Sequence, residues 1–319
     1  MALIMIIPAA VAVTLRLVPS LQEHTRVAMA ASFISYGLLS WLAALVLAAV
    51  AVMRGRRSRP AKLITVIALA GLLLQASWLA PNWVRDSRPV DGDQLRVVSL
   101  NMLAGLADAD QVVRQARHAD LLVLAEITPD AEQALIRSGL DARLPYRIGE
   151  SVPGTQGTMI WSRWPLQDTV RIPGTFRQWL TRARTPLGDV VVVGVHPCNP
   201  FCGADAWLRE SQAVADAVRP HLAGPMIIAG DFNAVDDQWP MRRLYDVGLS
   251  SANDLAGTGW HPTYPSGQRF AGITMPPLIG IDHILVSGSM TATSFDTFAV
   301  ADTDHHGVTA RVGRVRTER

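Results

Sequence analysis

The sequence predicts a four-layer α/β sandwich, two packed mixed β-sheets flanked by helices, preceded by an N-terminal transmembrane helical region. Three observations carry this expectation. The first 84 residues contain long stretches without charge. The rest of the chain alternates short apolar runs of strand length with amphipathic segments. Runs such as Val190–Val195 are apolar without alternation, as expected of strands covered on both faces.

Taken in order, Ala2–Val18 reaches Arg16 before completing the roughly 20 apolar residues of a full span. It reads as a first membrane helix, with a mis-started span or a cleaved signal as alternatives. Residues 28–53 and 63–84 carry no charge and read as spans, the second ending in the Trp78/Trp83 pair of an aromatic belt. Between them, Arg54–Lys62 holds Arg54, Arg56, Arg57, Arg59 and Lys62 and no acid, which places this loop in the cytoplasm by the positive-inside rule. Everything after about Asp86 then lies outside the cytoplasm. The expected organisation is a transmembrane region over 1–84 (helices 2–18, 28–53 and 63–84), a linker over 85–94 broken by Pro and Gly, and a globular domain over 95–319.

Within that domain, Leu95–Leu100 reads as a buried strand. Asp108 caps a helix to about His118. Leu121–Ala125 is a second strand, and Thr128-Pro129 supplies an N-cap and a first-turn proline for a helix to about Ser138. Gly157–Trp161 and Asp168–Ile172 are short strands. Gln178–Thr185 and Val190–Val195 form a hairpin around Pro186–Asp189. Ala206–Arg219 is an amphipathic helix, and Met226–Ala229, Ile281–Val286, Phe295–Ala301 and Val308–Val312 complete the strands. Residues 246–280 are left as one long connection, a length usually reserved for functional loops.

The chain carries a net charge of +2, yet residues 91–319 hold 20 of its 29 Lys and Arg and 25 of its 27 Asp and Glu. The domain is therefore acidic, and no basic stripe marks a long nucleic-acid groove. The two cysteines, Cys198 and Cys202, lie in one seven-residue stretch with His196. An extracytoplasmic address favours a local disulfide, with free thiols and a metal site as alternatives.

Polar residues interrupt the ends of the apolar runs: Asn101, Glu126, His196, Gly230-Asp231-Phe232-Asn233, Ile281-Asp282-His283-Ile284 and Asp304-His305-His306. In this order, with Gly157–Pro165 and Pro262-Thr263-Tyr264-Pro265, they resemble the endonuclease/exonuclease/phosphatase superfamily, which includes deoxyribonucleases, abasic-site endonucleases, inositol-polyphosphate phosphatases and sphingomyelinases. The resemblance covers about residues 95–313.

It implies a divalent-metal-dependent phosphoesterase. Glu126 is the first expected ligand of Mg2+ (Mn2+ as alternative), with Asn101 adding an amide oxygen and Asp304 a second carboxylate. Carried over from the family, Asp282 orients His305, which acts as general acid/base or stabilises the charged transition state. His306 would face the opposite side, and His283 reads as packing. Asp231 would align or deprotonate water, while Asn233 and His196 donate to the phosphoryl oxygens. Arg163 reads equally as a phosphate contact or a solvated side chain, Thr263 and Tyr264 as cleft rim, and Trp207, Trp239 and Trp260 as loop packing or an apolar rim.

The expected substrate is a phosphate ester, from a nucleic acid or a phospholipid head group, and the expected second partner is the bilayer itself. A lipid-head-group hydrolase is the alternative within the class. A non-catalytic membrane receptor on the same fold is the alternative outside it.

Overall fold

The computed structural model describes residues 2–54, 59–270 and 272–316. The chain divides into two compact units, Met1–Pro81 with Asp237–Trp239, and Asn82–Asp236 with Pro240–Arg319.

The first unit is helical: α1 (Ala2–Leu17), α2 (Thr25–Ala31), α3 (Gly37–Met53) and α4 (Arg59–Leu79). At 1.5 Å per residue α1 is only about 24 Å long. Residues 28–53 do not form one continuous helix. The helix stops at Ala31, a 3-10 turn covers Ile34–Tyr36, and α3 restarts at Gly37. Gln75, buried in α4, donates to the Ile34 carbonyl at this break. An apolar break in a helix needs such a partner for its freed backbone groups. Gly71 has a packing reason too: a Cβ there would fall 2.4 Å from the Trp41 ring. Arg59 and Lys62 begin α4 rather than lying in a loop, and Gly55–Ser58 lies outside the described residues. Two helical segments, Ile34–Met53 and Arg59–Trp83, are long and apolar enough to cross a membrane.

The second unit is the four-layer sandwich. One sheet has the order β13-β14-β1-β2-β4-β3, built from β1 (Val90–Asn101), β2 (Leu121–Ala125), β3 (Tyr146–Glu150), β4 (Thr158–Ser162), β13 (Met290–Phe298) and β14 (Gly307–Val315). The other has the order β5-β6-β7-β8-β12-β9, from β5 (Leu166–Ile172), β6 (Gln178–Thr185), β7 (Gly188–Val195), β8 (Met226–Asp231), β9 (Leu249–Ser251) and β12 (Asp282–Ser287). A two-stranded hairpin, β10 (Arg269–Phe270) and β11 (Ile273–Thr274), stands apart.

The period-2 geometry of a strand explains the unbroken apolar runs. Val97, Leu121, Val123, Val190, Val192, Ile227 and Ile284 fill the core between the sheets. Val98, Leu100, Leu122 and Leu124 face outward under α5 (Ala109–Gln115) and α6 (Pro129–Arg137). Both helices start where the sequence places them: Asp108 accepts from the Gln111 N–H at 2.8 Å, and Thr128 from the Ala131 N–H at 3.3 Å.

Several elements differ from expectation. Residues 90–94, expected as linker, pair with β14 as the start of β1, and the Asp86 N–H bonds to the Leu255 carbonyl. Strand β13 begins at Met290 rather than Phe295 and carries a bulge between Ala292 and Ser294. The amphipathic helix expected over 206–219 is α7 (Ala204–Val218), α8 (Trp239–Asp246) follows, and the 246–280 stretch contains β9, α9 (Ala252–Ala256) and the β10–β11 hairpin.

One feature of the topology builds the site. β1 runs parallel to β2, and β7 parallel to β8, so all four end at the same edge. β12 and β14 run antiparallel to β8 and β1 and therefore begin at that edge.

Candidate active site

The side chains at this edge are Asn101 (last residue of β1), Glu126 (just after β2), His196 (just after β7), Asp231 (last of β8), Asp282 (first of β12), and Asp304 and His305 in the turn before β14. Asp282 and Asp231 are direct cross-strand partners. The backbone is unusual here. Gly230 has φ +151°, and a Cβ there would sit 2.0 Å from the Val195 carbonyl oxygen, so only glycine fits before Asp231. Glu126 and Asn233 hold φ of +56° and +49°, a conformation that costs non-glycine residues energy and gathers at functional sites.

Asn101 is the hub. Its amide nitrogen donates to Glu126 Oε1 at 3.1 Å and to Asp231 Oδ2 at 3.0 Å, while its oxygen accepts from the Leu103 N–H at 2.9 Å. In this orientation Asn101 bridges two carboxylates. An oxygen-ligand role requires the amide to turn and release Leu103. Glu126 Oε2 also accepts from the Ala104 N–H at 2.8 Å. Burial raises the Glu126 carboxyl above its usual range and Asp231 adds to this, against the hydrogen bonds from Asn101 and Ala104. Asp231, 2% exposed, is raised as well, by burial and then by Asp282.

His305 Nδ1 lies 2.8 Å from Asp282 Oδ2, and both residues are buried. Burial opposes charge on this imidazole. The charge and hydrogen bond of Asp282, followed by Asp231 and Asp304, more than offset it and raise its pKa to about 10. With Nδ1 donating to Asp282, Nε2 turns toward Asp231 Oδ2 at 3.8 Å and Asp304 Oδ1 at 3.9 Å.

His196 behaves oppositely. It is 1% exposed, packed at a tilt against Phe176 with ring centroids 4.7 Å apart, and burial pushes its pKa down to about 4. Its Nε2 stands 3.7 Å from Asp231 and 3.8 Å from Glu126, and the two imidazoles of the site are pushed in opposite directions, His196 down by burial and His305 up by its carboxylate neighbours. Asn233 has its N–H bonded to Asp231 Oδ1 at 2.7 Å and its side-chain amide to the Pro197 carbonyl at 3.0 Å. The 197–203 loop is closed by the Cys198–Cys202 disulfide and tied down by Glu210, which accepts from the Cys198 and Thr175 N–H groups.

Four carboxylates, Glu126, Asp231, Asp282 and Asp304, thus face one imidazolium. The Oδ1 atoms of Asp282 and Asp304 are buried without a hydrogen-bond partner. Such an excess of oxygen donors fits a hard divalent cation. Among the described residues, ligand atoms of Asp231, Asp282 and His305 lie within 4.8 Å of one another. The Asp282–His305 bond already engages two of these; Asp304 Oδ1 has no hydrogen-bond partner, while the two Glu126 oxygens accept from Asn101 and Ala104.

Other residues fall elsewhere. His283 bonds to the Ala234 carbonyl, and His306, part-exposed, uses its N–H on the Thr263 carbonyl. Arg163 pairs with Asp120 at 2.9 Å, at the far end of β2. Trp207 and Thr263 are fully buried, so neither rims the cleft, whereas Tyr264 packs its ring 4.9 Å from that of His305. Sequence reasoning missed the bridging part of Asn101 and the Phe176 ring packed against His196. No sequence signal marks either one.

Solved structures share this fold. Truncated TDP2 from Caenorhabditis elegans superposes with a TM-score of 0.57 at 16% identity, covering 70% of this chain and 100% of that one. An endonuclease/exonuclease/phosphatase from Bacteroides vulgatus gives 0.56 at 14% identity, over 70% and 100%. The 3'-5' exonuclease NExo from Neisseria meningitidis gives 0.52 at 20% identity, over 68% and 98%. No curated protein matches the sequence. The family model for the Endonuclease/Exonuclease/phosphatase family matches residues 98–305, about two thirds of the chain. Its members are phosphoester hydrolases that generally depend on a divalent metal. The match takes in every side chain placed at this edge, from Asn101 to His305, and the chain belongs to this family.

Proposed function

We propose that the chain is a membrane-anchored, Mg2+-dependent phosphoesterase that cleaves phosphate ester bonds, a phosphodiester in the first instance, on the extracytoplasmic side. The observation that carries the chemistry is the buried His305–Asp282 bond, which turns His305 Nε2 toward the Asp231 and Asp304 carboxylates.

Glu126 and Asp304 would hold the cation, with Asn101 as a third donor if its amide turns. Bound there, the cation supplies Lewis-acid stabilisation of phosphoryl charge. Asp231, raised by burial, accepts a hydrogen bond from water and can take its proton. His305, held protonated by Asp282, offers Nε2–H to the phosphoryl or leaving oxygen. His196 stays neutral near pH 7 and donates Nε2–H without adding a charge, and Asn233 adds an amide donor.

Anchoring rests on Ile34–Met53 and Arg59–Trp83, of which only 22% and 11% of the apolar window is buried within the protein, unlike the core helix of a soluble protein. The cationic segment Arg54–Lys62 sets the direction, and the Cys198–Cys202 bond accords with an oxidising compartment.

The test is a substrate panel on the full chain in detergent, with Mg2+, Mn2+ or EDTA: DNA, RNA, sphingomyelin, phosphoinositides and a bis-aryl phosphodiester. Turnover that needs the metal and disappears in His305→Ala and Glu126→Ala supports the reading. Turnover surviving either substitution, or persisting in EDTA, rejects it. A reporter enzyme that works only outside the cytoplasm, fused after Arg319, tests the orientation.

A further inference from the structure

His305 and Asp282 reach each other from two different pieces of chain, the turn before β14 and the first residue of β12. A third piece ties them. Thr263 is 0% exposed. Its Oγ1 accepts from the Ile281 N–H at 3.2 Å and the Asp282 N–H at 3.3 Å. Its carbonyl accepts from the His306 N–H, and its own N–H donates to the Ile279 carbonyl, each at 2.8 Å. One residue therefore grips the Asp arm by its hydroxyl and the His arm by its backbone. The following residues add to the His arm: the Ser266 N–H donates to the Asp304 carbonyl at 2.7 Å, and the Tyr264 ring lies against His305.

We propose that Thr263 is a positioning residue of the site, whose hydroxyl holds the start of β12 so that the Asp282 carboxylate meets His305 Nδ1. The claim deepens the phosphoesterase reading and rests on it for its kinetic consequence alone. The chemistry is specific to the oxygen. Valine matches threonine in shape but accepts nothing, which leaves the Ile281 and Asp282 N–H groups buried without a partner. The carbonyl grip on His306 survives any side-chain change. Only the Asp arm is released, and the two halves of the pair come out of register.

The test compares Thr263→Val with Thr263→Ser in the full chain. The first readout needs no substrate: the downfield proton NMR resonance of the His305 Nδ1–H bonded to Asp282, assigned by its disappearance in Asp282→Asn. It should vanish or move upfield in Thr263→Val and return in Thr263→Ser. On whichever substrate the wild type cleaves, kcat should fall by up to about 100-fold in Thr263→Val with KM within about twofold, since misplacing a reacting group by an ångström costs that much. Serine should restore it. A folded Thr263→Val with the wild-type resonance and kcat overturns the proposal. If valine prevents folding, Thr263→Cys, whose thiol accepts weakly, must show a displaced resonance, and an unchanged one overturns it equally. A wild type that cleaves nothing defeats the phosphoesterase reading while leaving the resonance to judge Thr263.

Discussion

Replacing Glu126 with Gln should make the metal-free protein more stable and the enzyme inactive. Asn101 Nδ2 stands 3.1 Å from Glu126 Oε1 and 3.0 Å from Asp231 Oδ2, so these two oxygens lie within about 6 Å of each other. At an effective dielectric of about 20, two unit charges at about 6 Å repel by roughly 3 kcal/mol. Glutamine removes that repulsion but keeps only one of the two hydrogen bonds. If its oxygen accepts from Ala104, its amide nitrogen faces that of Asn101, a loss of about 1 kcal/mol. The net gain is roughly 1–2 kcal/mol, or a rise in Tm of about 2–8 °C for a unit of this size. The sign agrees with linkage. Because burial, then Asp231, raises the folded Glu126 pKa, its charge costs stability as pH rises from the unfolded carboxylate range through the folded pKa. Thermal melts of the full chain in detergent, in EDTA and then in Mg2+ or Mn2+, read the effect. Wild type should gain Tm on adding metal and Glu126→Gln should gain little, while its turnover falls at least 100-fold. A lower Tm in EDTA, or an undiminished metal shift, would refute the reasoning.

The other expectations concern the two imidazoles. Burial pushes His196 down to about 4, so the unfolded chain binds its proton first, and wild-type stability should drop by about 3 kcal/mol between pH 6.5 and 4. Denaturant melts of His196→Asn, subtracted from wild type across that range, should show this acid-limb difference, and parallel curves would remove the argument. For His305 the sign reverses. Burial disfavours its charge, but Asp282 and the other carboxylates raise it to about 10, so its contribution is present below about pH 6.5 and is lost as pH climbs through about 10. Asp282→Asn in EDTA should therefore erase an alkaline decline worth on the order of a few kcal/mol, and it should cut kcat more than KM. A decline of equal size in the variant would show that another group causes it.

Much of the architecture was legible because the inner strands bury both faces, which forces continuous apolar runs in Leu121–Ala125 and Val190–Val195 and a mostly apolar one, broken by Arg96 and Ser99, in Leu95–Leu100. Caps at Asp108 and Thr128 were readable because they are local interactions three residues long. Edge and loop elements were not. Strand β3 is a half-buried edge strand, so Tyr146–Glu150 has no apolar signature. The short elements of 246–280 are held by partners distant in sequence, and the break at Ser32–Tyr36 depends on Gln75, about 40 residues away.

By itself the sequence determined which side chains bear chemistry and in what order, since an acid or imidazole closing an apolar strand is costly unless something uses it. Which of them touch was decided only in three dimensions. That Asn101 turns its nitrogen to two carboxylates, that His305 charges while His196 stays neutral, and that Thr263 ties the Asp282 arm to the His305 turn all follow from burial and from distances between residues up to 130 positions apart. Local residue preferences carry no information at that range, because the dielectric around a group and the partner across from it exist only once the sheets have packed.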